Sequence, residues 1–252
     1  ELWEQAQESG VFVGAGYNHA LGKNTLAMES MLSQGGLGEI QTITAKTREH
    51  WGGIFQAHPW LSGPESSYLG FSSRGGGACG EHSHAINIWQ HFAHILGAGR
   101  VQEVSAMLDM RHDGDAYYDQ LAILALRTEQ GLVGDVIQDV VTSPTEKMAR
   151  IQGSKGFAEW HVNYESGADA VIRGEGSGTP QVTLFDKTRA DDFILEIEHL
   201  EQVLNGTISE SSISLGRGLD TMMVIAAAFK SAKEKRNINI NWSAGYRPEA
   251  LQ

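Results

Sequence analysis

The sequence has one cysteine, Cys79, among its 252 residues. A single cysteine excludes an internal disulfide framework and a cysteine-based zinc finger, and it favours a reducing compartment, which we expect to be the cytoplasm. No apolar run approaches the roughly 18 residues that cross a bilayer, so we expect no membrane span. The chain opens Glu1-Leu2-Trp3 without a methionine or a basic region before an apolar one. We therefore expect neither a signal peptide nor a natural start at residue 1.

Basic residues are in the minority, with 19 lysines and arginines against 31 aspartates and glutamates and a formal net charge of −12. Binding to a polyphosphate requires a basic footprint, so this balance excludes a nucleic acid as the principal partner. Apolar residues make up 41% of the chain, which is ample for the core of one large domain or two small ones.

Hydrophobic periodicity in the first part of the chain predicts helix, strand and helix over residues 2–9, 11–13 and 21–33. A β-branched stretch from Ile40 predicts the next strand, and one helix is predicted over residues 79–96. Residues 49–77 have no periodicity and predict a long loop, which its scattered aromatic residues mark as functional.

The second part of the chain predicts an antiparallel sheet followed by two helices, over residues 191–204 and 219–234. The fold class is therefore α+β, a large and predominantly antiparallel β-sheet preceded by an α-β fragment. Seven successive runs are strand-like, at residues 101–110, 120–128, 132–142, 148–152, 158–162, 168–173 and 181–185.

Gly14-Ala15-Gly16 follows the first predicted strand and resembles the start of a dinucleotide-binding turn. The third glycine of that fingerprint is out of place, and the chain continues with a loop and consecutive strands instead of further βα units. Three interpretations stay open for this turn: the nucleotide-binding turn of a complete small NADP-dependent protein, a tight exit from a strand, or a turn that faces a substrate.

Residues 74–87 contain the densest group of candidate catalytic side chains. On a continuous helix, the spacing of polar residues from Glu81 onward puts them on one face. A carboxylate near a helix N-terminus would balance the charge of His84, which could then titrate near neutrality as a general acid or base. The alternative is a stripe of histidines that are solvated or bonded to backbone. The stripe consists of Glu81, His84, Asn87, His91 and His94.

A metal site is the competing hypothesis for the same helix, because Glu-x-x-His places two ligands on one face. One such motif does not complete a ligand set, and the pair His91 and His94 has no obvious third ligand, so we expect no metal. Cys79 is interpreted as a small packed residue, since nothing beside it marks an oxyanion site.

The order of several motifs resembles the C-terminal two-thirds of the Gfo/Idh/MocA oxidoreductases, over nearly the whole chain. Gly16-Tyr17-Asn18 resembles the family's G-Y-N-x-R-like turn, although the arginine is missing. The family's Asp/His pair corresponds to Glu81 and His84, with glutamate in place of aspartate. The other matching segments are Gly35-Gly36-Leu37-Gly38-Glu39-Ile40, Gly75-Gly76-Gly77, Arg150-Ile151-Gln152-Gly153-Ser154-Lys155-Gly156 and Phe193-x-x-Glu196-Ile197.

The resemblance implies two parts: residues 1–20 as the end of a Rossmann nucleotide-binding domain, and residues 21–252 as the substrate and oligomerisation domain. In the family, the Rossmann domain holds NAD or NADP and supplies a catalytic lysine. Both would lie upstream of Glu1, so we expect this chain alone to bind no nucleotide. The resemblance also implies that helices cover one side of the sheet and that its open face would form a homo-oligomer.

The function that the resemblance implies is hydride transfer between nicotinamide and a secondary alcohol or ketone of a sugar or polyol. His84 would move the hydroxyl proton, and Glu81 would orient it. A non-catalytic sugar-binding or oligomerisation module is the alternative, and the loop aromatics could instead anchor their own loop. The expected substrate-binding residues are Tyr17, Asn18, His19, Trp51, His58, Trp60, Tyr68 and Asn87.

Overall fold

The computed structural model describes residues 2–252, apart from the side chain of residue 57. Nine strands form one sheet in the order β8-β7-β6-β5-β1-β4-β3-β2-β9. Only β1 and β4 run parallel among these strands, and the other neighbours are antiparallel. The strands are β1 Ile40–Arg48, β2 Val101–Asp113, β3 Ala116–Thr128, β4 Val133–Asp139, β5 Glu146–Gly153, β6 Gly156–Glu165, β7 Ala168–Glu175, β8 Gln181–Asp186 and β9 Ile238–Asn239.

Seven α-helices accompany the sheet within the described residues. The predicted α+β class with a mainly antiparallel sheet is confirmed, as are all seven predicted strands of the second part. β9, which has two residues, was not predicted. The helices are α1 Leu2–Ser9, α2 Lys23–Ser33, α3 Trp51–Ala57, α4 Gly77–Glu81, α5 His84–Ile95, α6 Arg189–Leu204 and α7 Leu215–Glu234. None of the helices found over residues 2–252 is long and apolar enough to cross a membrane.

The main core lies between one face of the sheet and the helices α2, α5 and α7. Trp89 and Phe92 of α5 are fully buried in it. The indole Nε1 of Trp89 donates to the carbonyl of Ile43 on β1 at 2.8 Å, so the ring is fixed by a hydrogen bond as well as by packing. This contact holds α5 against the centre of the sheet.

The single helix predicted over residues 79–96 is wrong, because the chain turns at His82 and Ser83 between α4 and α5. Gln138 of β4, which is fully buried, binds both sides of this turn. Its amide donates to the carbonyls of Ala78 and Cys79 at 3.1 and 3.3 Å, and its side-chain oxygen accepts from the Ile86 N–H at 3.3 Å. Gln138 thus provides partners for the Cys79 carbonyl and the Ile86 N–H, which the break leaves without helical ones. The Ala78 carbonyl also accepts the His82 N–H at 3.1 Å.

Two further predictions near the N-terminus are corrected by the structure. Residues 11–13 form no strand, since their neighbourhood contains only the single bridge from Gly14 to Ser214. A strand needs a partner for its backbone groups, and within the described residues this segment pairs only with the chain around Ser214. The predicted loop at 49–77 contains α3, which begins where the Nδ1 atom of His50 accepts the Gly52 N–H at 2.8 Å.

The predicted C-terminal helices are present as α6 and α7. The apolar stripe of α6 lies on the surface, and no residue of this helix is buried. Phe193 and Ile197 are 55% and 66% exposed. Helical periodicity therefore predicted the helix correctly but did not predict burial of its apolar face.

We predict that Gln138→Leu lowers the free energy of unfolding by at least about 2 kcal/mol. The change leaves a buried N–H and two buried carbonyls with fewer partners, and an unsatisfied buried group costs about 1–3 kcal/mol. Urea denaturation followed by circular dichroism measures the loss. Gln41→Leu is the matched control, because Gln41 is an exposed glutamine on β1. Equal stabilities of the two variants would contradict the role assigned to Gln138.

Candidate active site

The glycine-rich segment 75–77 lets the chain approach β3 closely enough to be held there. Gly77 has φ of +84°, and a Cβ atom on it would lie 2.0 Å from Oδ1 of Asp119. The carboxylate of Asp119 accepts the Cys79 N–H at 2.7 Å. Burial is the main reason that the pKa of Asp119 is raised to about 6. Asp119 and Gln138 together fix α4 to the sheet.

His84 is the first residue of α5 and lies against the turn formed by residues 17–19. Its ring centroid is 4.6 Å from that of His19 and 5.6 Å from that of Tyr17. Nδ1 of His84 is enclosed and has no hydrogen-bond partner. Nε2 also forms no hydrogen bond within residues 2–252, and His84 as a whole is half-buried.

Burial and neighbouring charges keep the imidazole of His84 neutral. Desolvation is the largest cause lowering its pKa to about 4, followed by the positive charge of Lys147. Desolvation also lowers the pKa of His19 well below its usual range. A neutral imidazole offers one donor and one acceptor nitrogen, which suits contact with a hydroxyl group.

Hydrogen bonds hold the 17–19 turn against helix α2 and against Ser83, the residue before α5. The hydroxyls of Tyr17 and Ser83 share a hydrogen bond of 3.1 Å. The carbonyl of His19 accepts the Thr25 hydroxyl at 2.6 Å, and the same hydroxyl oxygen accepts the Trp160 Nε1–H at 2.8 Å. Tyr17 and His19, both expected to bind substrate, are thereby placed beside His84. Asn18, between them, is half-buried and begins the short 3₁₀ turn Asn18–Leu21.

Three residues at this site were not predicted from the sequence. His82 donates from Nε2 to the carbonyl of Glu49 at 3.3 Å, and the Glu49 carboxylate pairs with Lys147 at 2.8 Å. The alternation of buried Ala149 and Ile151 along β5 places Lys147 on the helix-covered face, which was an available signal. Nothing in the local sequence indicates that Glu49 would meet it.

Glu81 is not paired with His84, contrary to the prediction. The break between α4 and α5 places the two residues on different helices, so they share no helical face. Glu81 instead accepts the Tyr68 hydroxyl at 2.9 Å. Across residues 2–252 no hydrogen bond or ring contact joins Glu81 to His84.

The aromatic residues of the predicted 49–77 loop that were expected to bind substrate are divided between core and surface. Trp51 is buried and stacks on Tyr118 at 4.4 Å, so it anchors the loop as the alternative interpretation had it. Trp60 is 74% exposed and contacts only the ring of His58 among the described aromatic side chains, at 5.1 Å. The roles of His58, Trp60 and Tyr68 as substrate contacts stay predictions. The burial of Trp51 argues against a substrate contact for that residue.

The rest of the predicted polar stripe serves packing. Asn87 is buried and donates to the Thr221 hydroxyl of α7 at 3.3 Å. His91 is buried and pairs with Glu29 at 2.6 Å, whereas His94 is exposed. In the part of the chain that the structure describes, no group of three His, Cys, Asp or Glu side chains could hold a metal ion.

The glycine turn at 14–16 does not fit the phosphates of a dinucleotide. The Ala15 N–H already donates to the Ile213 carbonyl at 2.8 Å, and the Tyr17 N–H donates to the Ala15 carbonyl at 2.7 Å. A phosphate-binding turn needs free N–H groups at the start of a helix, whereas a short 3₁₀ turn follows here. These residues therefore provide no nucleotide cradle.

Comparison with known families decides the relationship of this chain. The model for the C-terminal α/β domain of the Gfo/Idh/MocA oxidoreductase family matches residues 29–240. The chain belongs to this family. No curated protein sequence matches it.

Solved structures share the fold of this family member at low sequence identity. Aldose-aldose oxidoreductase from Caulobacter crescentus, complexed with glycerol, has a TM-score of 0.72 and 17% identity over 92% of this chain and 65% of its own. An Agrobacterium radiobacter oxidoreductase in complex with NAD⁺, L-tartaric acid and magnesium has a TM-score of 0.69 and 19% identity, over 94% of this chain and 67% of its own.

An inositol dehydrogenase homolog from Azotobacter vinelandii, complexed with NAD⁺, has a TM-score of 0.68 and 16% identity, over 94% of this chain and 67% of its own. This family member therefore spans about two thirds of the length of these structures. At such identities the comparison shows a shared fold.

We predict that protonation of Asp119 makes a pH-dependent contribution to stability. Its folded-state pKa of about 6 lies above the ordinary value of 3.8. The folded chain therefore binds this proton more tightly, and the contribution is fully present below about pH 4 and is lost as pH rises through 6. The difference in unfolding free energy between the unaltered chain and Asp119→Asn should change by up to about 3 kcal/mol between pH 4 and 7.

Urea unfolding across this pH range makes the measurement. Asp115→Asn is the control, because Asp115 is an exposed turn residue. If the Asp119→Asn chain kept the same pH dependence as the unaltered chain, the carboxyl would not have the raised pKa.

Proposed function

We propose that the chain provides the substrate-binding part of an oxidoreductase that acts on a secondary alcohol or ketone of a sugar or polyol. His84 is the proton-transfer group in this proposal. The observation that supports it is the geometry of His84: a half-buried imidazole without a hydrogen bond within residues 2–252, enclosed on its Nδ1 side and bordered by Tyr17 and His19. The contacts of its ring with Tyr17 and His19 argue against a solvated histidine.

The chemistry follows from what oxidation of an alcohol requires. A hydroxyl proton must leave as the carbon loses hydride, and the neutral Nε2 of His84 accepts that proton. The reverse reduction uses the same nitrogen as donor. The Tyr17 hydroxyl, bonded to Ser83, provides a second polar contact for orientation.

Several solved relatives support the substrate class. Their descriptions name glycerol, L-tartaric acid, myo-inositol and levoglucosan as bound molecules. Some of those structures also contain NAD⁺ or NADH. NAD or NADP is accordingly the hydride partner we propose for the complete reaction, and since residues 2–252 offer no cradle for it, we derive no step through the nucleotide.

In our proposal, residues 1–20 are the end of a nucleotide-binding domain. Helix α1 contacts the rest of the chain through Trp3 with Tyr246 and Glu4 with Arg247. It nevertheless has no buried residue, which supports a segment with further packing partners outside the substrate domain. The alternative function, a sugar-binding or oligomerisation module without nucleotide binding, is favoured by the occupied N–H groups of the 14–16 turn. Activity measurements distinguish the proposed oxidoreductase from this non-catalytic module.

We also propose that the open face of the sheet binds a second copy of the chain. The strand register places a row of side chains across eight strands on this face. Met107 and Ile123 of the row are 75% and 41% exposed. Covering such apolar side chains favours association. The row runs through Met107, Ile123, Ile137, Lys46, Met148, His161, Ala170 and Leu184.

We predict that polyols perturb the imidazole of His84. Titration of the chain with myo-inositol, followed by NMR of the histidine ring protons, should shift the His84 signals, and His84→Ala should abolish binding. His94→Ala, an exposed position on the same helix, should bind as the unaltered chain does. In a longer chain that includes a nucleotide-binding domain, His84→Ala should lower kcat by roughly 10²–10⁴-fold.

Two outcomes would contradict this prediction. One is a titration in which polyols leave the His84 signals unchanged. The other is an equal loss of activity in His84→Ala and His94→Ala, which would indicate a structural helix face.

We predict that the chain is a dimer or larger at micromolar concentration and that Met107→Glu with Ile123→Glu makes it monomeric. Two buried charges in such a face would oppose association. Light scattering after size-exclusion chromatography gives the mass. Phe193→Glu with Ile197→Glu, on the exposed stripe of α6, is the control and should remain associated. A monomeric unaltered chain would refute the interface.

A further inference from the structure

Lys147 lies beside the His84 site on a strand that contributes no other charged side chain to it. It is on the helix-covered face of β5, as are the buried Ala149 and Ile151. Its side chain is 18% exposed, and its ammonium pairs with Glu49 at 2.8 Å. The ion pair fixes the position of the ammonium beside the end of β1.

Glu49 connects this ion pair to the junction between α4 and α5. Its N–H donates to the carbonyl of Asp139 at 3.0 Å, which fixes the backbone at the end of β1. Its own carbonyl accepts the His82 Nε2–H at 3.3 Å. Lys147, Glu49 and His82 therefore form a continuous chain of contacts that ends two residues from His84.

We propose that Lys147 is a positioning residue of the His84 site: its ion pair with Glu49 places an ammonium and a carboxylate beside the junction between α4 and α5, where the two charges act on the His84 imidazole in opposite directions. The inference rests on the proposed function of His84. Nothing in the family resemblance assigns a role to this lysine, and no motif in the sequence singles it out.

The charges around His84 support this effect of Lys147, which helps to keep the imidazole neutral. Four titratable groups lie around His84 besides Tyr17. Lys147 and His82 lower its pKa and Glu49 raises it, and the ring of His19 lies 4.6 Å away. Glu81 is bonded to Tyr68 instead.

The opposite face of the sheet contains a matched ion pair. Lys46 of β1 pairs with Glu146 of β5 at 3.1 Å. Lys46 is next to Thr47, which is the register partner of Lys147. Because the two pairs differ mainly in the face they occupy, Lys46→Met is a control for the loss of a lysine charge at this end of the sheet.

The experiment is an NMR titration of the His84 ring protons in the 252-residue chain and four variants. Lys147→Met should raise the pKa of His84 by about one unit, the lower end of the effect of a nearby charge. Lys147→Arg should keep the unaltered pKa, because the charge remains. Lys46→Met should also leave it unchanged.

Glu49→Gln separates electrostatics from loosening of the structure. Removal of the carboxylate should lower the pKa of His84, the opposite direction to Lys147→Met. A merely structural effect would hydrate His84 in both variants and raise its pKa in both. That common rise would overturn the proposal, as would an unchanged pKa in Lys147→Met. If Lys147→Met does not fold, Glu49→Gln and Lys147→Arg still decide the question.

The readout needs no substrate and no nucleotide. If the pKa of His84 rises in Lys147→Met and falls in Glu49→Gln but polyols do not bind, the proposed function is wrong and the role of Lys147 is kept. If polyols bind at His84 but its pKa is unchanged in Lys147→Met, the role of Lys147 is wrong and the proposed function is kept.

Discussion

The buried amide of Gln138, which binds both sides of the break between α4 and α5, is the interaction on which the candidate site depends. A break in a buried helix leaves backbone groups without helical partners, and each unsatisfied group costs about 1–3 kcal/mol. Gln138 satisfies two such groups from the centre of the sheet, the Cys79 carbonyl and the Ile86 N–H. The break turns α5 so that its first residue, His84, meets the turn containing Tyr17 and His19.

The one parallel pair in the sheet explains why the site lies where it does. β1 and β4 end at the same edge, which brings Glu49 and the region after Gln138 together. β5 is antiparallel to β1 and begins at that edge, so Lys147 arrives beside Glu49. Because β1 and β4 are parallel, side chains from separate parts of the chain lie close together next to the start of α5.

Sequence patterns predicted the regular parts of this fold well. Alternation along β2 to β8 and periodicity in α6 and α7 are local properties, and the structure contains all of these elements. The break at His82 was not predictable, because it depends on Gln138, which is far away in sequence. Residues 11–13 have the composition of a strand but have only the chain around Ser214 as a partner.

The candidate site was predictable only in part. Tyr17, His19 and His84 follow from the resemblance, and the structure brings them together. Glu81 was assigned to His84 on the assumption of one continuous helix, and the break separates them. Lys147 and Glu49 have no motif, since their meeting depends on strand register.

The most direct test of the account is a crystal structure of the chain with a bound polyol such as myo-inositol. We predict a hydroxyl of the polyol within hydrogen-bond distance, about 2.6–3.2 Å, of Nε2 of His84, with the polyol ring beside Tyr17 and His19. A polyol bound elsewhere, with His84 free of contact, would contradict the assignment of this site.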